Sequence, residues 1–364
     1  MPAEGAEMKP FFRISAIFSI ALIATLVATS CSGSNESSSP DTLTLVTYDS
    51  FPTKDTSLND ALKEFENETG IKVKIANAGD TGTMLSKAIL TAGNPEGDVI
   101  WGIDDASIAL AIENEIFESY EPIGFDKLDP GLSAILRENQ ATPVDFGDVC
   151  VNYDIAYFEE NSLPVPTGMA DLIKPEYKGL LAVQNPASSS PGLAFLMASV
   201  AEFGEEGWQQ YWKDLRANEV KVSESWNDSY YQEFSGASDG KYPLVVSYAT
   251  SPVAQAVFAE PPLEISPTGN IDSTCFRQVE FAGILKGTKK IEQAKKLIDF
   301  LISEEFQKEI PLNLFVYPAR QNVELDEAFA KNARKIEDSY QIDPELIDEN
   351  RKEWIDSWTK IVLR

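Results

Sequence analysis

The sequence predicts an α/β fold built as two lobes. Its 364 residues suffice for two buried cores and exceed what a disulfide-held miniprotein needs. The composition, 43% hydrophobic and 24% charged, is that of a globular chain. Above all, β-rich runs and helical periodicities alternate over residues 42–115 and again over 144–249, the pattern of mainly parallel sheets with covering helices.

Each element has its own signal. TLTLVTY at 42–48 alternates and is rich in β-formers, a strand. Leu58, Ala61, Leu62 and Phe65 recur at helical spacing through 57–69, and Gly70 supplies the stop. IKVKIA at 71–76 is a second strand, and Met84, Leu85 and Ala88 mark a helix over 81–92. Residues 98–101 form a short buried strand running into GIDD, and 105–115 read as helix. Further on, VDFGDVCVNY at 144–153 is a strand, PVPTG at 164–168 a turn-rich loop and LLAVQ at 180–184 a strand. NPASSSPG leads into a helix from about residue 192, and Trp208, Tyr211, Trp212 and Leu215 mark another over 205–217. KVSESW at 221–226 reads as a strand, 230–234 as a helix and PLVVSYA at 243–249 as a buried strand. FRQVEFAGIL at 276–285 is a long strand. Residues 291–302 form an amphipathic helix, and 345–362 a charged helix with Trp354, Trp358 and Ile361 on one stripe. No short solenoid repeat is present.

The N-terminus reads as an address. Lys9 and Arg13 precede an apolar run over 14–29, and Ala28, Thr29 and Ser30 lead to Cys31. This is the layout of an export signal over residues 1–30, too short for a span of ~20 apolar residues. A cysteine directly behind small residues resembles a bacterial lipobox. The expected product is lipid-modified at Cys31 and joined to its domain by a flexible polar tether over 31–41.

Composition removes whole classes of chemistry. There is no histidine, so Ser-His-Asp and Cys-His catalysis and HExxH zinc sites are excluded. Cys31, Cys150 and Cys275 form no CxxC pair, and neither GxxxxGK[ST] nor GxGxxG occurs. Fifty-eight acidic residues against thirty basic ones give a net charge of −28. A phosphate-binding nucleic-acid groove needs a basic face, which this chain has little material to build. A cationic or neutral small ligand suits it better.

Several segments together carry a resemblance: TLTLVTYDSF at 42–51, GDVIWGIDD at 97–105, VDFGDVCVNYD at 144–154, NPASSSPGLAFL at 185–196, SESWNDSYY at 223–231, PLVVSYATSP at 243–252, QVEFAGI at 278–284 and FQKEIPLNLFVYPA at 306–319. In this order they resemble the solute-binding proteins of ABC importers, and within them the thiamine-binding branch, related more distantly to ferric-ion binders. The resemblance implies a two-lobed, periplasmic-binding-protein-like fold of type II, with two crossover strands and a central ligand cleft. Lobe 1 would hold residues 42–145 and 280–364, and lobe 2 residues 146–279 with the crossovers. The lobes would close on the ligand about a hinge.

Thiamine carries a cationic thiazolium, which favours aromatic faces and a carboxylate. Tyr48 ends the first strand and Asp49 follows it. On pattern alone Tyr48 reads as a half-buried strand tyrosine, and the resemblance places it in the cleft. Asp104 follows a strand, where it either caps a helix or faces the cation, and the resemblance favours the cation. Ser188, Ser189 and Ser190 precede a helix, as an N-cap or as the receiver of a hydroxyethyl or phosphate group. Trp226 and Tyr230 would form a stacking wall, with Tyr248, Thr250, Ser251 and Phe315 beside it. Two departures thin that wall: Val253 and Ala254 stand where the family has an aromatic residue, and Phe315 where it has a tryptophan. Cys150 and Cys275 lie on the implied crossovers and are expected to pair in the oxidising compartment. The expected protein is a monomer that binds thiamine, thiamine monophosphate or thiamine diphosphate and delivers it to membrane permease subunits. It has no catalytic residues, metal or cofactor and no nucleic-acid partner. Rivals are a ferric-ion carrier using Tyr230 and Tyr231, a binder of another thiamine-related pyrimidine, and a hydrolase using paired carboxylates.

Overall fold

The computed structural model describes residues 42–133 and 139–364. The export signal, Cys31 and the tether expected over 31–41 lie outside the described residues. Strand β1 (Thr42–Thr47) buries every second side chain. It pairs in parallel with β2 (Lys72–Asn77) and β3 (Val99–Asp104). Helix α1 (Ser57–Thr69) buries the stripe Leu58, Ala61, Leu62 and Phe65 and ends at Gly70, whose φ of 72° suits a residue without a Cβ. Helices α2 (Thr81–Leu90) and α3 (Ile108–Glu113) complete the expected alternation.

The sheet continues through the short β4 (Phe117–Glu118), the long β5 (Thr142–Asp154), β6 (Leu181–Gln184), β7 (Lys221–Ser223), β8 (Leu244–Tyr248), the still longer β9 (Thr268–Leu285) and β10 (Tyr317–Pro318). Its order is β2-β1-β3-β9-β5-β8-β6-β7, with β10 beside β5 and β4 beside β9. Parallel pairing at both ends is joined by antiparallel β5 and β9 in the middle. The helices used below are α4 (Ser190–Ala217), α5 (Ser251–Val257), α6 (Ile291–Leu301) and α7 (Pro344–Val362). The two helices expected from 192 and over 205–217 are both present within α4, which breaks between them at Gly204 with φ 69° and ψ 174°. Strand β7 stops at Ser223, and Trp226 opens a helical turn instead of ending the strand.

Two apolar cores lie on either side of β5 and β9. Val144, Val279 and Phe281 belong to the first, with Leu43, Trp101 and Phe306. Val149, Ile271 and Phe276 belong to the second, with Phe195, Trp212 and Leu244. Both long strands therefore pass from one core to the other near the register pair Gly147–Gln278. Tyr248 packs on both cores, and a Cβ on Gly147 would stand 2.9 Å from its ring. Beside this crossing Cys150 and Cys275 are joined by a disulfide.

The C-terminal helix departs from the expected division. Residues 280–364 are expected in lobe 1, yet α7 packs on the second core through Ile347, Trp354, Trp358 and Val362. The reason is its tryptophan stripe. Trp358 is fully buried edge-on against Trp212 of α4, ring centres 5.4 Å apart, and such a pair adds about 0.5–1.5 kcal/mol beyond burial. Among the described residues no helix is long and apolar enough to cross a membrane.

Candidate functional site

A cavity of about 240 Å³ lies between the lobes. It forms where the parallel strands end, the position at which open α/β sheets hold ligands. Tyr48 follows β1, Tyr248 ends β8, Asp80 immediately precedes α2 and Ser190 opens α4. The expected Tyr48, Asp49, Ser190, Trp226, Tyr230, Tyr248, Ser251 and Phe315 all line it.

Its aromatic wall is held rigidly. Trp226 and Tyr230 stack at 4.8 Å with planes 15° apart, and Tyr231 meets Trp226 edge-on at 5.3 Å. The indole N–H of Trp226 donates to Ser247 Oγ at 2.9 Å, which in turn meets Ser251 Oγ at 2.7 Å. Tyr230 is buried, and its hydroxyl accepts from the Gln255 side chain at 3.1 Å. Burial pushes the phenols of Tyr48, Tyr248 and Tyr230 above their usual range, and Glu280 adds to the rise at Tyr48 and Tyr248. All three line the cavity with aromatic rings. The wall expected to be thin at Val253 and Ala254 is supplemented one helical turn later. Phe258 lines the cavity and meets Phe315 edge-on at 5.3 Å.

Tyr48 depends on a glycine. Gly102 has φ 110°, and a Cβ there would stand 2.4 Å from the Tyr48 ring. Gly102→Ala is expected to cost about 1–3 kcal/mol of stability through backbone strain and overpacking. It should also swing Tyr48 into the cavity. Urea unfolding and ligand titration of the variant check both effects, and unchanged values for both would contradict this packing.

Four expected residues are placed elsewhere. Asp104 is 1% exposed and does not line the cavity; the Ser190 hydroxyl donates to its Oδ2 at 2.5 Å and covers it. Ser188 donates to the Glu224 carbonyl at 2.6 Å, turned from the cavity. Ser189 sits buried at the N-cap of α4. Thr250 donates to the Phe315 carbonyl, tying α5 of lobe 2 to lobe 1. The carboxylates that do line the cavity besides Asp49 are Asp80 and Glu280, neither singled out from sequence. Asp80 looks like a helix cap, and it is one: its Oδ1 accepts the Thr81 N–H at 3.2 Å. Its Oδ2 also accepts the Trp226 N–H from the other lobe at 3.1 Å. The Gly82 N–H likewise donates to the Ser188 carbonyl at 2.9 Å, so the lobes are closed on each other. Glu280 is hidden in the C-terminal stretch of β9, residues 278–285, which is buried throughout. The signal available was the period-two pair Gln278 and Glu280, polar side chains on one face of that strand.

With no lysine or arginine among the residues lining it, the cavity combines aromatic faces, hydroxyls and acids. It is built to hold an organic cation or a neutral polar ring. Known proteins agree with this architecture. Residues 94–338 match the family described as bacterial extracellular solute-binding protein. The chain is 27% identical over 323 residues to the thiamine-binding periplasmic protein of Salmonella typhimurium, covering 88% of this chain and 94% of that one. A solved periplasmic thiamin binding protein superimposes with a TM-score of 0.78 at 25% identity, covering 89% of this chain and 96% of the other. The apo ferric ion-binding protein A of Pasteurella haemolytica shares the fold, with a TM-score of 0.67 at 18% identity over 88% and 98% of the two chains. Two lobes, a crossover pair, a closed cleft and a family match over most of the chain lead to one assignment: the chain belongs to the bacterial extracellular solute-binding proteins.

Proposed function

We propose that the solute is thiamine, captured outside the cytoplasm between the two lobes and delivered to the permease of an ABC importer. The observation that carries this reading is the cavity's lining: Trp226, Tyr48 and Tyr248 beside Asp80 and Glu280, with no basic side chain. A flat aminopyrimidine finds aromatic faces there, and a thiazolium finds carboxylates. Similarity to the Salmonella protein supports the choice of ligand. The same lining favours thiamine over its phosphate esters, because no lysine or arginine lines the cavity to pair with a phosphate and the expected serine loop offers it one cavity-lining serine, Ser190, whose hydroxyl is engaged by Asp104. The protein acts as a carrier without catalysis or cofactor, as a monomer anchored through a lipid on Cys31.

The test is a titration of the purified protein followed by tryptophan fluorescence, with thiamine, thiamine diphosphate and iron(III) as separate titrants. Saturable quenching by thiamine at micromolar or lower concentration is expected, with weaker binding of the diphosphate. Trp226→Ala should weaken thiamine binding about 30-fold, the loss of a desolvated cation–aromatic contact of about 2 kcal/mol. Saturation by iron(III) alone, with a visible charge-transfer band, would transfer the assignment to a ferric carrier.

A further inference from the structure

Three carboxyl groups stand in one row across the centre of the sheet. Asp104 of β3 and Asp145 of β5 each pair in register with Glu280 of β9, one on either side. Directly paired residues project to the same face. The row therefore sets like charges opposite one another, which destabilises a sheet. All three are deeply buried, at 1%, 1% and 7% exposure for Asp104, Asp145 and Glu280. Each keeps one oxygen without a hydrogen-bond partner: Asp104 Oδ1, Asp145 Oδ1 and Glu280 Oε2.

The donors to the row are few and uncharged. The Trp101 indole N–H donates to Asp145 Oδ2 at 3.0 Å, Ser190 donates to Asp104, and the Gln278 amide donates to Glu280 Oε1 at 3.3 Å. The other titratable groups close enough to interact electrostatically with Glu280 are Asp80 before α2, Asp105 after β3, and the phenols of Tyr48 and Tyr248. Arg351 of α7 interacts electrostatically with Asp104 but does not line the cavity. Carboxylates gathered in this way out of water do not all stay ionised; the row holds a proton unless a cation joins it. Glu280 is the member that lines the cavity.

We propose that Glu280 carries a proton in the empty protein and releases it when the solute's cation enters, so that capture is an exchange of cation for proton. The step balances: the neutral carboxylic acid and a monocation become a carboxylate–cation pair, and the proton passes to solvent. The buried charge of the cavity is unchanged by binding, which avoids closing the lobes over an uncompensated ion. Burial, reinforced by Asp145 and Asp104, holds the Glu280 carboxyl well above the usual carboxylate range. This inference deepens the thiamine reading of the cavity and rests on it.

Calorimetric titration of the purified protein with thiamine, in buffers of different ionisation enthalpy and across pH, tests the exchange. About one proton should be released per thiamine at pH values below the titration of the empty protein, with affinity rising about tenfold per pH unit there and levelling above. Glu280→Gln should bind more weakly, release no proton and lose the pH slope. Asp145→Asn removes a neighbouring charge and should shift the levelling point to lower pH, a readout that a purely structural role would not give. Thiamine binding without proton release at any pH overturns the exchange and leaves the thiamine site standing. Absence of thiamine binding overturns the ligand assignment, and the exchange with it.

Discussion

Asp80→Asn is expected to weaken thiamine binding by ~30-fold or more while leaving the unliganded protein folded. Asp80 serves both lobes. It accepts the Thr81 N–H at the start of α2 and the Trp226 N–H across the cleft, and it lines the cavity as one of its carboxylates. An asparagine keeps an oxygen for capping, so helix α2 retains its start at little cost. What disappears is the negative charge facing the cation and the charge-assisted bond that draws Trp226 against lobe 1. Removing one partner of a buried charged pair costs about 2–5 kcal/mol, which is ~30-fold at the lower end. Calorimetry of the variant, with thermal unfolding as the control for fold, measures it. Affinity within threefold of the parent would mean that the cation lies away from Asp80.

The second large effect concerns stability. Replacing Cys150 and Cys275 together by alanine should lower unfolding free energy by about 2–5 kcal/mol. The bond links β5 to β9 across a sequence separation of 125 residues, and so removes much of the freedom of the unfolded chain. The two strands still pair along their length, so the variant is expected to fold. Urea unfolding of parent and double variant under non-reducing conditions reads the difference as a lower midpoint. Coincident midpoints would show that the disulfide contributes nothing to the native balance.

The fold was legible because its signals are local. The β1 alternation, the α1 stripe closed by Gly70 and the buried PLVVSY run each determine their own element. Where α7 docks was not legible: Trp354 and Trp358 announce an apolar stripe without naming its partner, and the partner turned out to be Trp212. The same distinction runs through the site. Tyr48, Trp226 and Tyr248 are large aromatics at strand ends or just beyond, where position alone points to the cleft. Asp104 shares that position, but Ser190 covers it from α4, a residue far away in sequence. Asp80 and Glu280 were hidden by plausible local roles, as a helix cap and as one residue of a buried strand. Their function comes from what the second lobe and the neighbouring strands bring beside them.

The most direct measurement is a crystal structure of the protein grown with thiamine. The predicted result is thiamine enclosed between the lobes, with an aromatic ring against Trp226 and the thiazolium beside the carboxylates of Asp80 and Glu280. Thiamine bound outside the cleft, or within it with the thiazolium remote from both carboxylates, would contradict the proposed site.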